Sequence, residues 1–341
     1  MKTRQTITLA AVGAGLAIAV VWRLGVGGDG FALPENATVW ELRGVRAAAA
    51  AVVGAALAVG GVMLQSLLRN PLASPDLIGA SSGAGLVVAV AAYLQYLVAR
   101  GEDGLAGGLA NELGGALGGG AFASLGLAAL VGSLGALALV YALSQRRGVV
   151  DPVTMILVGV IVSVIAGAAT VFVQSLMPPQ DALVVQRWML GRVSDDIGWS
   201  AVAIGGVLVG ALAFVGVALG GAMDASALGD DEARSVGVSL GILRAVLFVA
   251  SGVLTAAAVV LAGPIGFVGL VCPHVVRLGA GPAHRVVVIG SVLAGAALLV
   301  AADAGVKSFS VQTGRVPIGV LTALIGGPVF LWLLLREMRR R

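Results

Sequence analysis

Few side chains in this sequence are of types that carry out chemistry. His274 and His284 are the only histidines, and a metal site would need more ligands at closer spacing, so we expect structural or hydrogen-bonding histidines. The single cysteine, Cys272, excludes an internal disulfide and lies in an apolar run, where an inert buried thiol is expected. No nucleophile–base pair is recognisable. The sequence therefore predicts no catalytic residue, no metal site and no cofactor.

The lysines bear on how the protein is energised. Lys2 and Lys307 are the only two, and neither follows the glycine-rich G-x-x-x-x-G-K-[ST] loop that cradles the phosphates of ATP. This stretch of chain therefore cannot supply a Walker A lysine. If ATP drives the protein, a partner subunit must bind the nucleotide.

The composition is that of a polytopic membrane protein. Apolar residues make up 59% of the 341 residues and charged residues 11%, far from the balance of a soluble domain. The 52 glycines suit helices whose backbones approach closely in lipid. The net charge of +4 comes from basic residues at the ends of apolar runs, which indicates membrane topology and not nucleic-acid binding.

Hydropathy and helix breakers predict ten membrane spans. The first is an uncleaved N-terminal helix with a charged flank, residues 101–120 form a flexible external loop, and residues 181–196 form a short external helix. Both termini on the inner side place thirteen of the 21 Lys and Arg residues inside, and the reverse orientation would invert that bias. The predicted spans are residues 7–22, 47–68, 77–97, 122–143, 153–176, 199–223, 242–262, 267–277 (short, with a kink near Pro273), 286–304 and 316–335.

Asp303, near the outer end of the ninth span, is the carboxylate expected at membrane depth. An acid there is a functional candidate by default, but a salt bridge or a helix-end position explains it more economically.

Residues 224–244 are the most polar interval in the second half of the chain. Residues 230–232, Asp-Asp-Glu, favour a helix start, while Gly237 and Gly241 offer left-handed stops. Helical spacing predicts one apolar face that could pack against another protein, formed by Ala233, Val236 and Leu240. The simpler alternative is a solvated loop between two membrane helices.

Four ordered stretches carry a family resemblance over almost the whole chain. They are GVMLQSLLRNPLASPDLIGASSGAGL, ALG-x-x-x-ARS-x-GV, GPIGFVGLVCPHVVRL followed by GPAHR, and VPIGVLTALIGGPVFLWLLL. Together they resemble the FecCD family of ABC-importer permeases for iron-siderophores, haem and cobalamin. The resemblance implies an all-α, single-domain permease of the type II importer fold that is not itself an enzyme. It also implies a second permease copy or paralogue, an ATPase subunit under each, and a substrate-binding protein docked outside.

The resemblance also assigns roles to residues. The polar interval becomes the cytoplasmic loop that couples to the ATPase, with seven candidate residues: Leu228, Gly229, Asp230, Glu232, Ala233, Arg234 and Gly237. Binding-protein docking needs exposed cations on the outer face, and the family positions are Arg43, Arg46 and Lys307. Interfacial snorkelling is the alternative explanation for any one of these cations, and docking is favoured over it for the pair Arg43 and Arg46.

The fifth span lines the transport pathway in the family. Its polar positions Ser163, Thr170 and Gln174 are therefore the pathway candidates, although each could instead bond a neighbouring helix. The loop before this span corresponds to the inner gate, with Arg146 and Asp151 as candidates next to Arg147. A plain positive-inside anchor competes with that gating role.

The resulting functional hypothesis is a permease in the bacterial inner membrane that imports an iron chelate. A ferric siderophore is the first choice, because that is the commonest role in the family, and haem or cobalamin are the other candidates. The alternative is an ion-coupled secondary transporter of a small solute, which would normally show several buried charges. A membrane-embedded enzyme is a third class, disfavoured by the lack of a recognisable catalytic group.

Overall fold

A computed structural model describes residues 2–27, 31, 36–100, 121–146, 149–194, 197–308 and 316–338. The predicted flexible loop, residues 101–120, lies outside this described part.

The described chain is almost entirely helical, as predicted. Its helices, in order, are α1 (Lys2–Gly25), α2 (Ala37–Leu68), a short 3-10 helix (Pro75–Ile78), α3 (Ala80–Ala99), α4 (Ala121–Leu143), α5 (Pro152–Ser175), α6 (Pro179–Met189), α7 (Trp199–Ala218), α8 (Gly220–Leu228), α9 (Asp230–Ser235), α10 (Leu240–Ala262), α11 (Val268–Ala280), α12 (His284–Ser308) and α13 (Ile318–Met338). The two-residue strands β1 (Gln145–Arg146) and β2 (Val149–Val150) pair antiparallel between α4 and α5.

Eight of these helices are long and apolar enough to cross a membrane: α1, α2, α3, α4, α5, α7, α10 and α12. The shorter apolar helices Val268–Ala280 and Ile318–Trp332 occupy the eighth and tenth predicted positions. The predicted all-α fold, with an apolar helix at each of the ten predicted span positions, is therefore confirmed. Helix α6 is the predicted short helix after the fifth span, and it ends earlier than expected because Gly191 takes a left-handed conformation, φ +72.

Helix α2 lies at the centre of the bundle. It packs against α1, α7, α10, α11 and α12, and 83% of its most apolar stretch is buried, compared with 11% for α1. Helices α3, α4, α5 and α6 form a second group that packs around α3 and contacts α10. A helix surrounded on all sides must be apolar or small around its whole circumference, which explains the alanine- and glycine-rich sequence of α2.

Glycine allows the helices around α2 to cross at backbone contact. A Cβ added at Gly54 of α2 would overlap the carbonyl oxygen of Gly295 in α12, and the reverse also holds. About two turns further along, a Cβ at Gly61 would overlap the Gly269 carbonyl of α11. Small residues at such crossings give membrane helices close van der Waals packing, which holds them together where the hydrophobic effect does not.

Two predicted helix boundaries are wrong: the start of the second span and the end of the sixth. Helix α2 begins ten residues before the predicted start at 47, because Asn36 caps it and accepts a hydrogen bond from the Val39 amide at 2.9 Å. The predicted sixth span (199–223) stops at Ala218, and a second helix, α8, starts at Gly220.

The predicted third span (77–97) is also interrupted near its start. Residues 69–79, which we call the α2–α3 connection, contain the 3-10 helix and end at Gly79 with φ +77. Leu57 O and Pro75 Cδ each lie 2.7 Å from the position of a Cβ added at Gly269. The connection therefore folds back along α2 by about three turns.

The α2–α12 crossing gives a stability prediction. Gly54→Ala introduces a Cβ into the Gly295 backbone, and we expect it to lower the free energy of unfolding by about 1–3 kcal/mol, as overpacking does. Gly210→Ala in α7 is the matched control, because a Cβ there meets nothing within 4 Å and alanine favours helix. Thermal unfolding of both detergent-solubilised variants checks this, and equal melting temperatures would contradict the close crossing.

Candidate functional site

Residues 220–239, which we call the coupling segment, form two short helices at one end of the bundle. Helix α9 starts with residues 230–232 in its first turn, as predicted, and carries Arg234 in its last turn. Gly229 separates α8 from α9 with φ +154, and the Glu232 carboxyl folds back over it where a Cβ would overlap. Gly237 lies just after α9 with φ +83, which confirms the predicted left-handed turn.

The coupling segment turns a mixed apolar and charged surface outward. Leu228 is 77% exposed and Val236 67% exposed. Arg234 and Glu232 are exposed between them, and Arg234 pairs with Asp231 at 3.1 Å within the same helix. This surface has the apolar contacts and the charges that a partner groove could bind.

The predicted single apolar face is wrong in one respect. Ala233 and Leu240 are buried, but Val236 points outward. Gly237 reverses the chain after α9, so the helical period does not continue from Ala233 to Leu240. Gly241 lies inside α10 and does not stop a helix, contrary to prediction.

Asp230 faces the bundle. Its Oδ1 accepts a hydrogen bond from Arg69 at the end of α2, and Arg244 of α10 donates to Oδ1 at 3.0 Å and to Oδ2 at 2.9 Å. Partial burial alone would raise the pKa of Asp230, but the bond from Arg69 and the charges of both arginines outweigh it and lower that pKa below its ordinary value. The carboxylate is therefore ionised and holds α9 against α2 and α10.

Asp224 makes a second attachment, from α8 to α12. Its Oδ1 accepts the His284 amide at 3.0 Å and lies 2.6 Å from His284 Nδ1. The expectation of a hydrogen-bonding histidine is thus confirmed for His284. In the described part of the chain, no group of three His, Cys, Asp or Glu side chains is placed to hold a metal ion.

The predicted gate loop is the β1–β2 hairpin. Asp151 caps α5, accepting from the Thr154 amide at 2.9 Å and from its hydroxyl at 2.6 Å. Arg146 lies in β1, opposite Val149, and Val149 packs near Gly241 at the start of α10. The two strands therefore lie beside the start of α10, and Asp151 stabilises the first turn of α5.

The polar candidates on α5 do not form its exposed face. Thr170 is 1% exposed and donates to Ala166 O at 2.7 Å within its own helix. Gln174 is half-buried with Nε2 3.8 Å from Met189 Sδ of α6, and Ser163 is half-buried towards Gly79. Gln174 thus contacts a neighbouring helix, as the alternative allowed, whereas the Thr170 hydroxyl bonds within its own helix.

The exposed face of α5 is apolar from Val153 to Phe172. Its large exposed side chains recur at helical spacing: Val153, Leu157, Val160, Ile161, Val164, Ile165, Val171 and Phe172. We call this the α5 stripe.

The docking candidates differ in exposure. Arg43 is half-buried and donates to Leu24 O at 2.6 Å, and Lys307 is half-buried in the last turn of α12. Arg46 is only 6% exposed and bonds Asp303, so it is not the exposed cation that the docking prediction requires. Because α2 starts early, Arg46 lies in its third turn, where α2 packs against α12.

Asp303 is the centre of a buried ion cluster. Arg46 donates to its Oδ1 at 2.8 Å, and Arg23, at the end of α1, donates to its Oδ2. Asp303 is fully buried and Arg23 is 3% exposed. The expected salt bridge is confirmed, whereas the participation of Arg23 was not predicted, because its position after an apolar run is typical of a simple helix-end anchor.

The α2–α3 connection is a polar network that the sequence reading missed. Gln65 Nε2 donates to Ala73 O at 3.3 Å and to Gly269 O at 3.1 Å. The buried Asp76 accepts from the hydroxyls of Ser74 and Ser81, each at 3.1 Å. These residues fall inside two of the stretches that carry the family resemblance, but the sequence did not show the hydrogen bonds between them.

Three known proteins that are similar to this chain in sequence are transport permeases. The haemin transport system permease HmuU of Yersinia pestis is 34% identical over 304 residues, covering 89% of this chain and 85% of that protein. The cobalamin import system permease BtuC of Halobacterium salinarum is 35% identical over 314 residues, covering 91% and 77%. The vitamin B12 import system permease BtuC of Serratia proteamaculans is 34% identical over 329 residues, covering 94% and 90%.

The chain belongs to the FecCD transport family, whose model matches residues 5–336. A solved structure described as an inward-facing conformation of a metal-chelate type ABC transporter is similar to it, with a TM-score of 0.81 and 26% identity. That match covers 97% of this chain and 99% of the other.

The ion cluster and Arg43 should respond differently to substitution. Asp303→Asn leaves two buried guanidinium groups without their counter-charge, and we expect a loss of about 3–5 kcal/mol in stability. Arg43→Gln removes a partly exposed hydrogen bond, for which we expect about 0.5–1.5 kcal/mol. Thermal unfolding in detergent measures both, and equal losses would contradict a structural role specific to the cluster.

Proposed function

We propose that this chain is the membrane-spanning permease subunit of an ATP-driven type II importer that carries a metal chelate, with a ferric siderophore as the chelate we favour. The family match over residues 5–336 carries this proposal. The printed roles of the relatives, haemin and cobalamin transport, support bulky chelates as the substrate class.

The coupling segment supplies a physical basis for ATP-driven transport. An ATPase subunit bound to its outward residues Leu228, Glu232 and Arg234 would move α9. In this proposal that end of the bundle faces the cytoplasm, both chain termini lie on the same side, and the membrane is the bacterial inner membrane. The permease itself hydrolyses nothing.

The α5 stripe is the surface we assign to pairing with a second permease copy or paralogue, with the pathway between the two. Large aliphatic side chains offer a chelate few hydrogen bonds. Selection among chelates would then fall to the binding protein, which docks at the opposite end through cations such as Arg43 and Lys307.

The buried acids disfavour the ion-coupled alternative. Asp303 is held by two arginines, so its negative charge is already compensated, and Asp76 is engaged by two serine hydroxyls. A coupling ion would need a carboxylate that is able to change partner during transport.

Uptake by cells tests the proposal. Cells lacking this gene and complemented with it are given radio-iron-labelled ferric hydroxamate, haemin or labelled cyanocobalamin, with an intact ATPase subunit or one whose Walker A lysine is replaced. We expect ferric hydroxamate uptake that needs the intact ATPase. Uptake that ignores the ATPase but stops with a protonophore would contradict the importer, and uptake of haemin or cyanocobalamin alone would contradict only the siderophore.

The turn at Gly237 gives a second prediction. Gly237→Val places a β-branched residue at φ +83, a conformation that costs L-residues roughly 1–2 kcal/mol, so α9 should lose its fixed orientation. We expect continued ATP hydrolysis with reduced uptake per ATP. Gly241→Ala is the control, because it lies within α10 and meets only an ordinary contact with Val149 at 3.6 Å. Normal uptake per ATP in Gly237→Val would contradict a rigid coupling segment.

A further inference from the structure

We propose that the Asp230–Arg69 ion pair transmits movement of α9 to the α2–α3 connection, and through it to helix α5. This inference rests on the proposed function, because it assigns a path to the movement that an ATPase would impose on the coupling segment. It makes Arg69 and Asp230, whose side chains are 35% and 34% exposed, positioning residues for transport that lie outside the α5 stripe.

The first step is the attachment of Asp230. Its two oxygens are occupied by guanidinium groups from two different helices. Arg244 lies at the start of the helix that directly follows the coupling segment, so it forms a local tie. Arg69 is 161 residues away in the chain and ties α9 to a different part of the bundle.

The second step is the backbone at Arg69. This residue ends α2 in a left-handed conformation, φ 49 and ψ 33, which glycine or asparagine adopts more easily. The Arg69 side chain therefore reaches Asp230 from a backbone conformation that is unfavourable for arginine. It is also the first residue of the connection, so a displacement of its guanidinium acts where the chain reverses.

The third step is the rigidity of the connection. The side chain of Asn70 accepts the Leu72 amide at 2.9 Å, and the Ala73 amide donates to Asn70 O at 3.1 Å. Beyond these residues, Asp76 fixes the 3-10 helix to the first turn of α3 through Ser81. A segment with this many internal bonds moves as one body.

The last step is contact with α5. A Cβ added at Gly159 of α5 would overlap the carbonyl oxygen of Leu77, and Val162 Cγ1 lies 3.4 Å from the position of a Cβ at Gly79. The connection therefore touches the inward side of α5, directly behind the stripe. Displacement of Arg69 by α9 would push on α5 through this backbone contact.

A reversible cross-link tests the ion pair. The buried Cys272 is replaced by alanine, and Arg69→Cys and Asp230→Cys are introduced together, so that a short bifunctional thiol reagent with a cleavable spacer can rejoin the two positions. Uptake of radio-iron-labelled ferric hydroxamate per ATP hydrolysed is measured before cross-linking, after it, and after cleavage. We expect a loss of at least about fivefold in the uncross-linked form, recovery on cross-linking, and renewed loss on cleavage.

Two further variants separate transmission from folding. Arg69→Lys keeps the charge and should retain most of the uptake per ATP, whereas Arg69→Gln should not. Arg4→Gln is the control, because Arg4 is an exposed arginine at the same end of the bundle that donates to Leu278 O at 2.9 Å. All variants are compared by monodispersity in detergent.

Normal uptake per ATP in the uncross-linked double-cysteine form would overturn the inference, and so would cross-linking that abolishes uptake, since the two positions would then have to move apart. Failure of the proposed function is distinguishable. In that case the parent chain itself takes up ferric hydroxamate without the ATPase, or not at all, whatever the state of the cross-link.

Discussion

The backbone contacts of helix α2 are the constraint on which the bundle depends. Gly54 and Gly61 bring α12 and α11 to within backbone contact of it, and lipid supplies no hydrophobic force that would compensate for a poorer fit. The position of α2 then determines where its two ends lie. One end carries Arg46 into the ion cluster, and the other delivers Arg69 to the coupling segment.

The charged groups of this protein fall into two environments that differ in consequence. Asp303 and its arginines are sealed between α1, α2 and α12, where breaking a pair leaves an uncompensated buried charge. The pairs of Asp230 are partly exposed at the end of the bundle, where each is individually weak. The first arrangement fixes helices relative to one another inside the bundle, whereas the second ties α9 to the ends of α2 and α10 at the surface.

Hydropathy and helix breakers were enough to predict the helical class and the approximate position of all ten segments. They failed where the deciding contact is distant in the chain. Nothing near Arg46 in the sequence indicates Asp303, and the apolar residues after Pro75 conceal a connection that folds back along α2. On α5, polarity suggested Thr170 and Gln174 as pathway residues, but in an apolar setting hydroxyl and amide groups turn towards backbone and sulfur acceptors inside the bundle. The charge pattern of residues 230–232 predicted a helix start correctly, because capping and dipole effects are local.

The α5 stripe has a consequence for how the subunit matures. A face of valine, leucine, isoleucine and phenylalanine is about as stable against lipid acyl chains as against protein. A newly inserted chain is therefore stable in the bilayer as a monomer. In the proposed dimer, two such faces gain little from leaving lipid and would associate through complementary shape. Dimerisation would accordingly be governed by surface fit and by the abundance of subunits in the membrane, and an unmatched copy would persist as a dispersed monomer.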